Sequence, residues 1–250
     1  MADATAYRHF AAVYDELMRE APYERWADYL NRMTDTFAVT GRRVLDLGCG
    51  TGTLALLLAE KGWDVTGVDQ SEDMLAVADE KISRADANVA LIQQDLRALD
   101  LGAAYDVAVA FCDVLNYMAS IEEVEDVIRR VHRHLSPGGL FLFDVHSVYK
   151  IDRVFRDASF CSGEDDIAYI WECFPGDEPH SVYHELSFFV REPSGLYRRF
   201  DETHYERTYP AETYLDALKR AGFTEVRVEA DFQCEPPKDT SERLFFAAQK

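Results

Sequence analysis

The run Val44–Leu54 constrains the fold of this chain more than any other segment. Its sequence is VLDLGCGTGTL, in which an apolar strand pattern around Asp46 leads into glycines at three alternate positions. An apolar, helix-forming stretch begins at Leu54. Glycine allows backbone to approach a ligand closely, and a helix N-terminus presents free N–H groups at its positive end. The run therefore predicts a strand, a turn and a helix that together bind a small polar ligand.

Strand and helix patterns alternate from Arg43 to His146, which predicts a doubly wound α/β sheet with parallel strands. We expect strands at Arg43–Leu47, Asp64–Asp69, Val89–Gln93, Asp106–Cys112 and Leu140–His146, and helices at Thr53–Lys61, Glu72–Arg84 and Ile121–Leu135. In such sheets the ligand lies at the carboxyl edge of the strands, near the point where the strand order reverses.

The two flanks of this region predict a cap and a lid. Residues 1–40 have the pattern of one or two amphipathic helices rich in aromatic residues. Later in the chain, three strand patterns separated by Pro/Gly turn sequences replace the alternation, at Ile167–Phe174, Ser181–Val190 and Tyr197–Tyr209. A helix at Ala211–Ala221 and strands at Thr224–Phe232 and Arg243–Gln249 return to the core pattern. We expect a core of residues 1–146 and 211–250 with a helical N-terminal cap, and an inserted antiparallel β lid of residues 147–210.

Charge and cysteine content limit the partners and the compartment. The chain has 46 acidic and 26 basic residues, a formal net charge of −20, and such a field repels phosphate backbones and anionic lipids. The basic run Arg129–His134 ends a predicted helix, where cations meet the helix dipole favourably. Five cysteines without a CxxC pair, and a start without a signal-peptide pattern, predict free thiols in the cytoplasm. We expect a monomer or homodimer that binds neither nucleic acid nor membrane.

Three carboxylates narrow the choice of ligand. A dinucleotide fingerprint needs a third glycine where this chain has Thr53, and Asp46 beside the turn would repel a pyrophosphate but attract an ammonium group. Asp69 ends the second strand and suits the two hydroxyls of a ribose, since Ser71 already supplies the cap of the following helix. Asp95 follows the third strand and either accepts from an adenine amino group or is a loop carboxylate.

Together these segments resemble the Rossmann-like S-adenosylmethionine-dependent methyltransferases. The likeness extends from about Arg42 to His146 and includes the turn Leu135–Leu140 (LSPGGL) into the fifth strand. The resemblance implies a seven-stranded sheet whose last strand is antiparallel. It also implies S-adenosylmethionine as cofactor, with Gly48, Cys49 and Gly50 against its methionine part, Asp69 on the ribose, Gln70 and Met74 flanking the adenine, Asp95 and Leu96 at the adenine edge, and Phe111 as the floor.

The flanks carry a second, weaker likeness. The segment Phe10–Asp15 is similar to the Tyr-Asp entrance segment of small-molecule methyltransferases, and Tyr197–Phe223 is similar to the β lid of aminosugar N-methyltransferases. This implies a small-molecule acceptor. Tyr117 stands where aminosugar enzymes often have a histidine, which puts an amine acceptor in doubt. Trp26 of the N-terminal region is assigned to the cofactor site as well.

Four side chains are candidates for the methyl-transfer chemistry: Tyr14, Tyr117, His146 and His204. Tyr14 is expected to orient the nucleophile or to bind the cofactor carboxylate, with core packing as the alternative. His146 ends the fifth strand at the ligand edge and is the first choice for a base. His204 is the second, on a strand face whose Glu202 and Glu206 are expected to be solvated.

Two further residues have competing interpretations. His184 shares a strand face with Val182, Leu186 and Phe188, which favours a core histidine, and no ligand spacing supports a metal site among the histidines. Asn116 is either a cofactor contact or a turn residue. The alternative functions are a protein or tRNA methyltransferase, a non-catalytic S-adenosylmethionine-binding protein, and a nicotinamide-dependent enzyme, which Thr53 and Asp46 disfavour.

Overall fold

The computed structural model describes residues 11, 13–163 and 166–250. Its strands are β1 Arg43–Leu47, β2 Asp64–Asp69, β3 Val89–Gln93, β4 Tyr105–Ala110, β5 Leu135–His146, β6 Ser159–Gly163, β7 Ile167–Pro175, β8 Ser181–Arg191, β9 Tyr197–Arg207, β10 Glu225–Ala230 and β11 Arg243–Gln249. Seven of them form one sheet in the order β10-β11-β5-β4-β1-β2-β3. All neighbouring strands of this sheet are parallel except in the two pairs that β11 makes, with β10 and with β5. The predicted sheet with an antiparallel last strand is therefore confirmed.

The described residues form five longer α-helices, of which the first precedes β1 and the others lie between successive strands: α1 Tyr23–Thr36, α2 Thr53–Glu60, α3 Glu72–Arg84, α4 Ile121–His134 and α5 Ala211–Ala221. The side chains of Ser71 and Ser120 accept the N–H groups of Met74 and Glu123 and so cap α3 and α4. Gly222 ends α5 with φ +105°, the left-handed conformation that favours glycine. Residues 13–17 are also helical. The other expected residues of the entrance segment, Phe10 and Ala12, lie outside the described residues.

The core lies on both faces of the seven-stranded sheet, and β5 shows how the sequence specifies it. Leu140 and Leu142 pack with α1 and α2 on one face, whereas Phe141 and Phe143 pack with α4 and α5 on the other. All four side chains are fully buried. Successive strand residues point to opposite faces, so a continuous apolar run is what a strand buried on both sides requires.

A second sheet, made of β6, β7, β8 and β9 in that order, is antiparallel throughout. Three of its strands match the expected patterns, but β6 and the π-helical turn Lys150–Phe155 before it are not in the prediction. The sequence of β6 is SFCSG, which has no alternating apolar pattern, and its register comes from Phe160 packing against Trp171 of β7. The boundaries 147 and 210 of the inserted region stay a prediction.

The strand order reverses between β1 and β4, which are neighbours although β2 and β3 come between them in the chain. A crevice at such a point receives the loops that leave both strands at their carboxyl ends. Here those loops are the glycine turn after β1 and the 3-10 helix Val114–Tyr117 after β4. Among the described residues, no helix has the length and apolar character needed to cross a membrane.

Candidate active site

The glycine turn after β1 is held in place because its backbone N–H groups donate hydrogen bonds to β2. Gly48 and Cys49 both donate their N–H groups to the carbonyl of Val68 on β2, at 2.7 and 3.0 Å. The N–H of Gly50 donates to Asp69 Oδ2 at 2.9 Å. These amides are therefore satisfied by the protein, so Gly48, Cys49 and Gly50 do not offer free N–H groups to a ligand in this structure.

Gly48 and Gly50 have different steric surroundings, so a glycine suits each position for a different reason. A Cβ on Gly48 would come within 2.6 Å of the Val114 side chain, so backbone and side chain pack too closely there for any larger residue. A Cβ on Gly50 would meet no atom within 4 Å, because this residue faces an open recess. Both have positive φ, +69° and +53°. Gly50 is thus the position at which the turn leaves room for a ligand.

A small recess that is open to solvent lies beside the turn. Its wall combines backbone of the turn with aromatic and polar side chains: Tyr14, Tyr23, Trp26, Asp46, Gly48, Cys49, Gly50, Thr51, Thr53, Leu54, Phe111 and Cys112. Seven of the predicted cofactor residues therefore meet at one place: Tyr14, Trp26, Asp46, Gly48, Cys49, Gly50 and Phe111. The recess combines aromatic walls with several polar groups, as a site for a polar small ligand requires.

Asp46 is the charged group at the base of this recess. It is 2% exposed, and among the described residues its Oδ2 has no hydrogen-bond partner. Burial, with a smaller contribution from Asp69, raises the pKa of the Asp46 carboxyl to about 7. A buried carboxylate without a partner is costly, so an ammonium group in the recess would be stabilised here. The arrangement fits the amino group of an amino-acid ligand.

Asp69 ends β2 on the other side of the turn. Its Oδ1 accepts the N–H of Ser71 at 2.8 Å and its Oδ2 accepts the N–H of Gly50 at 2.9 Å. A carboxylate has about four acceptor positions, so each oxygen keeps capacity for one further donor. Two backbone donors thus fix a half-buried carboxylate whose remaining positions suit a pair of neighbouring hydroxyl groups.

The residues assigned to the adenine lie around this carboxylate on the following loops. Gln70 is exposed, Met74 is half-buried in the first turn of α3, and Leu96 is buried. Asp95 differs from the expectation, because both of its oxygens accept from the Arg97 guanidinium, the shortest contact being 2.6 Å. This bonding lowers the pKa of Asp95. An adenine amino group would have to share the carboxylate with Arg97.

The N-terminal segment is fastened to the glycine turn by Asp15. Its Oδ1 accepts from the hydroxyls of Thr51 and Thr53 at 2.5 and 3.2 Å, and its Oδ2 pairs with Lys81 at 2.6 Å. Tyr14, the adjacent residue, then forms part of the recess wall, and burial raises the pKa of its phenol well above the usual value. Tyr14 is accordingly a neutral hydroxyl at the site. The role of Asp15 was missed, although the Tyr-Asp pair of the entrance segment contained it.

A chain of polar contacts leads from the recess into the interior. The indole N–H of Trp26 donates to Asp144 Oδ1 at 2.9 Å. Arg243 on β11 binds Asp144 through one nitrogen and Asp113 Oδ1 through another, the latter at 2.8 Å. Asp113 and Arg243 were not among the predicted residues. Asp113 follows β4 at the carboxyl edge, the same signal that identified Asp69, whereas nothing in the sequence points to Arg243.

His146 ends β5 as expected, but the structure places it in this polar interior. It is 5% exposed and does not line the recess. Its Nε2 lies 3.7 Å from Asp113 Oδ1 and 3.5 Å from Glu206 Oε2. Burial lowers the pKa of His146 well below the usual value, so the ring is neutral. The prediction that His146 is the base nearest the methyl group does not fit this position.

Tyr117 and His204 meet where the second sheet contacts the core. Their rings pack edge-on with centroids 6.0 Å apart, and Tyr117 is 47% exposed. Burial lowers the pKa of His204 to about 4, so this imidazole is neutral near pH 7. The expected solvation of Glu202 and Glu206 on the same strand is wrong. Both are buried, at 7% and 5% exposure, because this face of β9 turns toward the core.

Asn116 joins three elements rather than facing the recess. Its Nδ2 donates to the carbonyl of Arg207 on β9 at 2.8 Å, and its Oδ1 accepts the N–H of His146 at 2.9 Å. The residue is fully buried. Since both ends of the amide bind backbone, the cofactor contact predicted for Asn116 is not what the structure shows. His184, in contrast, is buried on its strand face as expected.

The comparisons with known proteins agree with this geometry. A family model described as a methyltransferase domain matches residues 44–139. A protein of Geobacillus sp. (strain WCH70), with only the provisional name of a methyltransferase, is 46% identical over 245 residues, which cover 98% of this chain and 99% of that protein. A crystal structure of an S-adenosylmethionine-dependent methyltransferase from Clostridium acetobutylicum ATCC 824 is 30% identical, with a TM-score of 0.88 over 97% of this chain and 98% of the other.

A third relative is informative about acceptors. The dTDP-4-amino-2,3,4,6-tetradeoxy-D-glucose N,N-dimethyltransferase of Saccharopolyspora spinosa is 26% identical over 220 residues, which cover 85% of this chain and 84% of that protein.

The recess has a buried carboxylate oxygen of Asp46 without a partner among the described residues, and Asp69 lies across the glycine turn, an arrangement that fits an amino acid linked to a nucleoside. The fold and the relatives then give the family: this chain belongs to the S-adenosylmethionine-dependent methyltransferases. S-adenosylmethionine has an ammonium group, which could pair with the unpartnered oxygen of Asp46, and ribose hydroxyls, which suit Asp69.

Proposed function

We propose that this methyltransferase transfers the methyl group to a small-molecule acceptor in the cytoplasm. The observation that carries the proposal is the contact between Tyr117 after β4 and His204 of the second sheet. We infer that this contact brings the second sheet against the acceptor side of the carboxyl edge, and a partly enclosed site favours a small molecule. The five free cysteines are in keeping with a reducing compartment.

Charge and similarity support the same proposal. The net charge of −20 works against tRNA as a substrate, because phosphate backbones would be repelled over the whole surface. The relative from Saccharopolyspora spinosa acts, by its name, on a nucleotide-linked amino sugar. The second sheet occupies residues 159–207, so a match over 85% of the chain includes part of it.

On this proposal, the cofactor supplies a methyl group on a positively charged sulfur, and the chain binds and orients it. Asp46 holds the ammonium group and Asp69 the ribose. The remaining cofactor contacts are assigned to Tyr14, Trp26, Gly48, Cys49, Gly50, Gln70, Met74, Asp95, Leu96 and Phe111. Asp95 contributes only what its bonds to Arg97 leave available.

The acceptor side is assigned to Tyr14, Tyr117 and His204. Tyr14 keeps its proton and donates a hydrogen bond, since burial raises the pKa of its phenol. His204 is neutral, so its imidazole can accept the proton of a hydroxyl or amine nucleophile. Alignment of nucleophile and methyl group is the main contribution that such residues make to methyl transfer, and exclusion of water by the second sheet adds to it. His146 lies beside Glu206 and Asp113 in the polar interior, so no contact with the acceptor is assigned to it.

Turnover against chemically grouped acceptors tests the proposal. The purified chain and S-adenosylmethionine are incubated with libraries of small phenols, hydroxy acids and amines, and in parallel with unmodified tRNA and with peptide mixtures. Release of S-adenosylhomocysteine is measured in each, and His204→Gln serves as the matched variant. We expect release with one small-molecule class, reduced about tenfold or more in the variant because a positioned acid–base group is lost.

Each other outcome identifies a different function. Release only with tRNA or only with peptides would contradict the small-molecule proposal and favour a macromolecular substrate. Tight binding of S-adenosylmethionine by calorimetry with no release in any set would favour a binding protein without turnover. Either result would leave membership of the family unchanged.

A further inference from the structure

We propose that Asp113, His146 and Glu206 bind one divalent transition-metal ion at the seam between the two sheets. Nε2 of His146, Oδ1 of Asp113 and Oε2 of Glu206 converge there, and ligand atoms of the three residues all lie within 4.8 Å of one another. The inference concerns binding of an ion to the resting protein, so it does not depend on which acceptor the enzyme uses.

The separations of the donor atoms match a shared ion. Nε2 of His146 is 3.7 Å from the Asp113 oxygen and 3.5 Å from the Glu206 oxygen. Neither is a hydrogen-bonding distance for a nitrogen and an oxygen. Ligands bound at about 2.1 Å in a tetrahedral site stand roughly 3.4 Å apart. The three groups are therefore spaced for an ion between them better than for direct contact.

Glu206 gives an independent reason for a cation at this place. The residue is 5% exposed, and among the described residues its Oε2 has no hydrogen-bond partner. Its other oxygen, Oε1, lies 3.7 Å from Nε2 of His184. The indole of Trp171 can only donate, so His184 Nδ1 accepts it at 3.0 Å and the hydrogen of neutral His184 is on Nε2. That N–H faces Oε1, which leaves Oε2 as the oxygen for the ion.

The surroundings have the form of an outer shell. Arg243 binds Asp113 Oδ1 at 2.8 Å and also binds Asp144, so it fixes the orientation of the Asp113 carboxylate. His184 lies beside Glu206, with Nε2 3.7 Å from Oε1, and makes no direct hydrogen bond to it at that distance. Groups that hold metal ligands by hydrogen bonds are regular features of metal sites. Arg243 compensates one of the three nearby carboxylates, Asp113, Asp144 and Glu206, and an ion of charge +2 compensates the other two.

The donor set decides the class of ion. One imidazole nitrogen with two carboxylate oxygens suits Zn²⁺, Mn²⁺ or Fe²⁺ better than Ca²⁺, which prefers six to eight oxygens. Three protein ligands leave at least one coordination position for water or another oxygen ligand. The side chain of Asp113 is 14% exposed, so an ion would enter the cluster past this carboxylate.

The consequence of such an ion is a fixed second sheet. Asp113 follows β4, His146 ends β5 and Glu206 is on β9, so the ion would cross-link the core to the sheet that covers the acceptor. Cys112, the neighbour of Asp113, lines the cofactor recess. The ion would therefore stand next to the place where cofactor and acceptor meet.

Calorimetry on the full chain tests the proposal. The protein is freed of metal with a chelator, dialysed, and titrated separately with MnCl₂ and ZnCl₂, alongside Glu206→Gln and the matched control Glu202→Gln. Glu202 is buried on the same face of the same strand but lies outside the cluster. We expect about one ion per chain in the wild type and in the control, and binding weakened at least about tenfold in Glu206→Gln.

A second measurement needs no variant. Pulsed electron paramagnetic resonance of the Mn²⁺-loaded wild type should show the modulation of a directly bound imidazole nitrogen. Thermal melting shows whether Glu206→Gln is folded, and if it is not, the resonance result decides. Absence of stoichiometric binding in the wild type, equal binding in all three proteins, or bound Mn²⁺ without a nitrogen signal would each overturn the proposal.

Discussion

The cofactor half and the acceptor half of the active site are built in opposite ways. The carboxylates of the cofactor half come from β1 and from the loops after β2 and β3, and contacts such as Asp69 to Gly50 are short in sequence, although the aromatic wall comes from the N-terminal region and Phe111. The acceptor half joins groups from β4, β5, β9 and β11, for example Arg243 to Asp113. We infer that substitutions in the first half change ligand binding while the fold persists, whereas most in the second change the fold.

Arg243→Leu should have the largest effect and tests the acceptor half. The substitution leaves Asp113 and Asp144 buried without their cation, which costs about 3–5 kcal/mol when one partner of a buried pair is removed. Urea unfolding at pH 7 measures the free energy of unfolding. The control Arg84→Leu removes an exposed helix pair with Glu80 and should change it by less than about 0.5 kcal/mol. Equal effects of the two substitutions would contradict the comparison.

Asp69→Ala should have the next largest effect, and on binding rather than stability. Loss of charge-assisted hydrogen bonds to the ribose costs about 2–4 kcal/mol, or roughly 30- to 1,000-fold in the affinity for S-adenosylmethionine. Calorimetry measures the affinity, with Glu72→Ala, an exposed carboxylate at the start of α3, as the control. Unchanged affinity in Asp69→Ala would remove the ribose assignment.

Asp46→Asn separates stability from binding through pH. The pKa of the Asp46 carboxyl is raised on folding to about 7, so the folded state holds this proton more firmly than the unfolded state. The stabilisation is complete below the unfolded pKa near 3.8 and is lost as the pH rises to about 7. The variant should therefore gain stability over the wild type between pH 4 and 7, on the order of 4 kcal/mol by pH 8.

The same substitution should weaken S-adenosylmethionine binding about tenfold or more, since the charge that faces the ammonium group is lost. Urea unfolding at several pH values and calorimetry at pH 8 measure the two effects. A stability difference that does not vary with pH would show that Asp46 is not the buried acid described above.

Tyr117→Phe should have the smallest effect and is the exception within the acceptor half. The exposed hydroxyl is removed while the ring that packs on His204 stays, so the free energy of unfolding should change by less than about 0.5 kcal/mol. We expect kcat to fall about tenfold with the acceptor found by screening, and the cofactor affinity to stay within about twofold. Tyr197→Phe, a similarly exposed tyrosine of the second sheet, is the control. A large loss of stability would place Tyr117 with the buried residues instead.

The difference between contacts that are short in sequence and contacts that are distant in sequence also explains which features could be predicted from the sequence. The parallel strands of the sheet follow from local patterns, because a strand, its turn and the next helix are adjacent in the chain. The antiparallel last strand followed only from the family resemblance. The positions of His146 and Asn116 do not, because they depend on Glu206 and Arg207, which are sixty or more residues further on. The local pattern also predicted that Glu202 and Glu206 are solvated, whereas both are buried. The alternation of residues along β9 does not indicate which face of the strand packs on the core.

The contact between Thr208 and His146 affects which segment of the chain can be exchanged for another. The Thr208 hydroxyl donates to the carbonyl of His146 at 2.5 Å, so the chain leaves the core and returns to it at one point. Segments whose ends lie side by side can be exchanged without rearranging the domain that carries them. In protein engineering, residues between these two positions form a replaceable cassette, and a graft there would bring a new acceptor wall to an unchanged methyl donor site.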